Sequence, residues 1–181
     1  GENALPRRGA TSGDSRERVV TDHEGHDHGH GVTAIDEEQH RALAVGLFNH
    51  VWELLRTTDR TPAMDAQMVH AAHASRFHWS QVGGPEQLAV GDWQCSRVYA
   101  VLGRSEPALH HARASLAICQ EAGLGDWVVA AAYEALARAA AVNGDEGGRD
   151  EWIGKAREAV LAIADPEDRD VIEADLATIG Q

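Results

Sequence analysis

Cysteine, lysine and aromatic residues are all scarce in this chain of 181 residues. Two cysteines, Cys95 and Cys119, supply neither a disulfide framework nor a four-thiolate zinc site. Lys155 is the single lysine, so a phosphate-cradling glycine loop ending in Lys-Ser/Thr is excluded, and no Gly-x-Ser-x-Gly elbow occurs. No apolar run approaches the length of a membrane-spanning helix, so no membrane partner is expected. Positive charge is also short: 16 basic against 29 acidic side chains leave a net charge of −13. A chain of that sign is no general nucleic-acid binder, because phosphate neutralisation needs a basic surface.

What remains divides into two regions. Residues 1–35 hold Pro6, scattered glycine and charges of both signs, with few apolar side chains. Such a stretch buries too little surface to offset its ordering entropy, and reads as a flexible tail. It lacks the apolar h-region of a secretory signal, so a cytoplasmic location is expected. Within it His23, His26, His28 and His30 place four imidazoles in eight residues, with Asp22, Glu24 and Asp27 beside them. Nitrogen and oxygen donors on a glycine-rich chain suit Zn²⁺, Ni²⁺ or Cu²⁺. The alternative is a solvated low-complexity linker that meets metal only adventitiously.

Residues 36–181 read as an all-α domain of about seven helices. Leu43, Leu47, Phe48, Val51, Leu54 and Leu55 recur at three- and four-residue steps over residues 36–57, making one apolar arc. Thr61-Pro62 is an N-cap followed by proline at the first helical position, opening a second helix over 62–81. Gly83-Gly84-Pro85, Gly103, Gly123-Leu-Gly125, Asn143-Gly144 and Asp165-Pro166 delimit helices over 85–102, 105–122, 126–143 and 148–164, and a short last one. Asp126 is the expected cap of the fifth. No segment alternates as a strand.

Tyr99, Gly103 and Ala108 follow one another as an aromatic, a turn glycine and a small packing residue. Gly144 stands 41 residues beyond Gly103, and Pro62 stands 41 before it. Three hairpins at one period make a short stacked array. Over residues 36–165 the chain resembles tetratricopeptide-like helical repeats, departing from their pattern at Cys95, Ser96 and Arg149 and in its longer period. That resemblance implies stacked antiparallel hairpins with a capping last helix. It also implies a concave surface that binds a protein or peptide partner.

Two clusters in the body carry candidate chemistry. His70 and His73 share a face of the second helix, and an antiparallel first helix brings His50 level with them; Glu53 or Asp65 would complete a metal site. Arg76, His78 and Arg97, with Trp79, Trp93 and Tyr99, form a candidate partner-binding pocket in which arginines grip carboxylates. The competing reading makes the aromatics core wedges and His78 a helix C-terminal cation. Cys95 and Cys119 fall where small apolar residues are expected and read as buried, inert thiols. Glu151, Glu158, Glu167, Asp168, Asp170, Glu173 and Asp175 read as a solvated face. A helical scaffold for a protein or peptide partner is therefore the first expectation. A metal-binding protein, extending to a metalloenzyme, is the alternative. No catalytic motif supports an enzyme directly.

Overall fold

The computed structural model describes residues 34–180, so the His23, His26, His28 and His30 tract lies outside the described residues. Seven helices follow one another: α1 (Glu37–Arg56), α2 (Pro62–Val82), α3 (Pro85–Val101), α4 (Ser105–Ala122), α5 (Asp126–Val142), α6 (Glu146–Val160) and α7 (Pro166–Leu176). Among the described residues there is no strand. No helix there is long and apolar enough to cross a membrane.

The helix ends follow the chemistry of the chain. Thr61 Oγ1 accepts from the Met64 amide, Asp165 from the Glu167 amide, and Asp36 with Gln39 closes a reciprocal capping box. Gly103 and Gly144 both turn through the left-handed region, with φ of +69° and +73°, where a side chain would strain the backbone. One cap and both ends of α6 differ from the sequence expectation. Asp126 does not cap α5. Gly125 occupies that position, and Asp126, itself left-handed at φ +59°, accepts from the Ala164 amide instead. Helix α6 starts two residues early because Asp145 accepts from the Gly148 amide, and it ends at Val160 rather than 164.

Short turns make α1/α2, α3/α4 and α5/α6 antiparallel hairpins, and these three pairs have the most extensive helix contacts. Alanine lets the helices approach closely: Ala44, Ala72, Ala89, Ala108, Ala112, Ala130, Ala132 and Ala139 are all buried. Three buried serines exploit that approach. Ser75 donates to the Ala44 carbonyl, Ser96 to Ala108 and Ser115 to Ala89, each across a hairpin at 2.8–2.9 Å. Helix α3 packs against α1, α2, α4 and α5 and is the most enclosed member of the first two hairpins.

One buried ionic network ties three helices together. Glu134 on α5, 1% exposed, accepts from Arg97 of α3 at 2.9 Å and from Arg138 one turn along α5 at 2.7 Å. Arg97 also donates to Asp175 of α7 at 2.5 Å. Asp175, half-buried and paired, therefore does not belong to a solvated acidic face, and Asp168 is buried. A buried carboxylate is tolerable only because two guanidiniums solvate it. Replacing Glu134 by Ala should lower unfolding free energy by about 3–5 kcal/mol, since it removes the buried carboxylate that Arg97 and Arg138 share. Urea denaturation of the purified variant measures that loss.

Candidate metal site

The decisive chemistry lies where α2, α3 and α4 meet. Helix α3 presents Asp92, Cys95 and Tyr99 at steps of three and four, hence on one face. Opposite them stand His73 and Arg76 of α2, three residues apart, and His111 of α4. One ligand atom from each of His73, Cys95 and His111 lies within 4.8 Å of the other two. It is the one such group of three or more His, Cys, Asp or Glu side chains among the described residues.

The surroundings orient these ligands. Asp92 is buried, and its two oxygens face different partners: Oδ1 lies 2.8 Å from His111 Nδ1, and Oδ2 accepts from Arg76 Nε at 2.9 Å. Burial by itself would raise the Asp92 carboxyl, but the hydrogen bonds from His111 and Arg76 hold it below its ordinary value. An ionised carboxylate only accepts, so His111 carries a proton on Nδ1, and Nε2 is the ring nitrogen not engaged by Asp92. Tyr99 stacks on the His111 ring, 5.8 Å between centroids and 8° from parallel. Its hydroxyl stands 2.9 Å from His73 Nε2, which fixes that ring as well. Desolvation, and then the neighbouring His111, lowers the His73 pKa, keeping this imidazole neutral and able to ligate.

Cys95 is fully buried in a core cluster that also holds Met68, Ala72 and Val98. Burial pushes its thiol up to about 12, with the Asp92 charge adding to the effect and Arg76 opposing it. Without a metal this thiol is inert, as its sequence position suggests. With one, a thiolate is formed by exchange of its proton for the ion. Tetrahedral ligands at ordinary zinc–nitrogen and zinc–sulfur lengths stand about 3.4–3.6 Å apart. With every separation inside 4.8 Å, the trio needs to close by no more than about 1.4 Å. The group is able to hold a metal ion, with two of its three ligands already oriented from behind.

The sequence-derived candidates fare differently. His73 belongs to this group. His50 and His70 stand outside it, and the expected His50/His70/His73 trio is not assembled: His50 Nδ1 faces Glu53 at 3.4 Å, and Asp65 pairs with Arg60 instead. Arg76, His78 and Arg97 enter three separate networks rather than one pocket. Arg76 holds Asp92, Arg97 holds Glu134 and Asp175, and His78 Nδ1 meets His40 Nδ1 at 2.8 Å. Trp93 is a core wedge, 2% exposed, whereas Tyr99 faces the metal-ligand group. Cys95, His111 and Asp92 are the residues that the sequence left out of the site. The spacing Asp92-x-x-Cys95-x-x-x-Tyr99 was the available signal, though nothing local pairs it with His111.

Comparison with protein-family models, with curated proteins and with solved structures finds no match to this chain. The site must therefore be read from its own chemistry.

Gly91 belongs to that chemistry. A methyl group there would stand 2.5 Å from Arg76 Cδ, so glycine is what lets the arginine stem cross α3 to reach Asp92. Gly91→Ala should displace Arg76, lower stability by about 1–3 kcal/mol and shift the His111 imidazole resonances. Thermal unfolding and a histidine-edited NMR spectrum report the two effects.

Acid should loosen the same region. His73 and His78 both have pKa values lowered by desolvation, and next by a neighbouring histidine. The unfolded chain then binds more protons than the folded one at pH below the ordinary histidine value of 6.5. Stability is accordingly full above that value and falls as pH drops through it toward the folded-state pKa values. A His73→Asn/His78→Asn double variant should flatten the decline in Tm between neutral pH and pH 5.

Proposed function

We propose that this protein binds a transition-metal ion through His73, Cys95 and His111, with Asp92 and Tyr99 orienting the imidazoles. The single observation that carries the reading is the convergence of His73, Cys95 and His111 beside the buried Asp92 carboxylate, which engages His111 from behind. Carboxylate behind imidazole is the usual second layer of a metal site, fixing tautomer and raising ligand basicity. One thiolate with two imidazoles suits Zn²⁺, and copper competes on affinity; Ni²⁺ is less favoured by the thiolate. Three protein ligands leave a coordination position open, which a metalloenzyme would use and a metal carrier would fill on transfer. The His23–His30 tract is a second source of donors on the same chain. A reducing, cytoplasmic setting belongs to the proposal, since it keeps the Cys95 thiol available.

A second reading is a tetratricopeptide-like scaffold for a protein or peptide partner. It is supported by Gly103 and Gly144, 41 residues apart and both left-handed, which close the second and third hairpins in the same way. The two readings are compatible, because the metal ligands lie between α2, α3 and α4 and need no groove.

Metal content of the untagged full-length chain tests the proposal. A variant with His23, His26, His28 and His30 replaced by Asn should retain one metal per chain. Its Co²⁺ form should show a sulfur-to-cobalt charge-transfer band that Cys95→Ser abolishes. A correctly folded, tract-replaced protein that binds neither Zn²⁺ nor Co²⁺ would sink it. Above the histidine range, affinity should rise about tenfold per pH unit, because binding displaces the Cys95 proton. Competition titrations against a chromophoric chelator read that slope.

A further inference from the structure

A cavity of about 250 Å³ opens on the other side of α3, away from the metal ligands. Arg56 of α1, Arg97 of α3 and Arg138 of α5 converge on it, with Asp175 of α7 as its one acidic wall residue. Trp52, Leu55, Val101 and Val171 supply an apolar wall, and Val101 is 43% exposed there. Three guanidiniums gathered at one cavity are unexpected in a chain of net charge −13.

The donors exceed the acceptors. Each guanidinium carries five N–H groups. Arg97 directs one nitrogen to Glu134 and one to Asp175. Arg138 directs its groups to Glu134, the Asp175 carbonyl and Thr178. Both are spread over protein acceptors and keep N–H groups to spare. Arg56 has no hydrogen-bond or ion-pair partner among the described residues. Glu134 and Asp175 neutralise two of the three charges, leaving the cavity with one positive charge in excess beside an apolar wall.

The geometry points to a binding site for a small amphipathic carboxylate, its head on Arg56 and the free edges of Arg97 and Arg138, its apolar body along Trp52 and Val101. A carboxylate matches the guanidinium fork, and a short hydrocarbon body matches the apolar wall. The cavity is lined by four helices and holds only about 250 Å³, which favours a compact ligand over an extended peptide. This site goes beyond the metal proposal and shares no residue with it.

Calorimetric titration of the full-length protein with octanoate tests the assignment, with octanol as the uncharged control. Saturable one-to-one binding of octanoate is expected, and no comparable binding of octanol. Arg56→Ala should weaken octanoate binding about tenfold through loss of a charge-assisted contact. Val101→Trp should abolish it by filling the cavity, with circular dichroism verifying the fold. Cys95→Ser, which removes a metal ligand, should leave it unchanged. Absence of octanoate binding overturns the site, as does binding that both cavity variants leave intact. Binding of a peptide C-terminal carboxylate in place of octanoate would overturn it in favour of a peptide groove.

Discussion

A buried carboxylate at Asp92 is the constraint on which the candidate metal site depends. It sits on the central helix and accepts from α2 through Arg76 and from α4 through His111. A lone carboxylate at that depth would be neutralised or hydrated; two cationic or polar partners keep it charged and dry. Because each oxygen has one partner, the two neighbouring helices are fixed in rotation as well as in distance. That rotation is what turns His73 and His111 toward Cys95. Gly91 serves the same end by leaving room for the arginine stem.

Glu134 has the corresponding role in the next hairpin. It gathers Arg97 and Arg138 and, through them, Asp175 of the last helix. The two buried acids lie on successive first helices of a hairpin, and α3 contributes to both networks. Its Asp92, Cys95 and Tyr99 look toward α2 and α4, while Arg97 and Val101 look toward α1, α5 and α7. Positions two residues apart on a helix diverge by roughly 200°, which separates the two chemistries on one element. The small residues between helices matter for the same reason. Alanine contacts and serine-to-carbonyl bonds bring the axes close enough for short polar side chains to span them.

The helical frame was legible in the chain because its signals are local. Apolar steps of three and four, Thr61-Pro62, Asp165-Pro166 and the turn glycines act within a few residues of where they stand, so the all-α class and most helix bounds follow directly. Errors arose where a local signal had two outlets. Asp126 has the right chemistry for a cap, yet its carboxylate reaches the Ala164 amide. Asp175 belongs to a run of acidic residues that reads as solvent-facing, yet an arginine 78 positions earlier claims it. The sequence groups His50, His70 and His73 by face and level, but the level of two antiparallel helices does not specify which faces meet, and His73 joins Cys95 and His111 instead.

By itself, then, the sequence determined the number of helices, most of their ends and the hairpin order, since hydrogen bonding and hydrophobic periodicity within each segment suffice for these. It also determined the supply of ligands: eleven histidines, two thiols and an excess of acid. Which of those side chains meet was decided only by the tertiary structure. The rotation of each helix about its axis is set by packing against two or three neighbours at once and by buried charges that accept only certain partners. Cys95 on α3 and His111 on α4 become neighbours through that rotation, and no spacing along the chain encodes it.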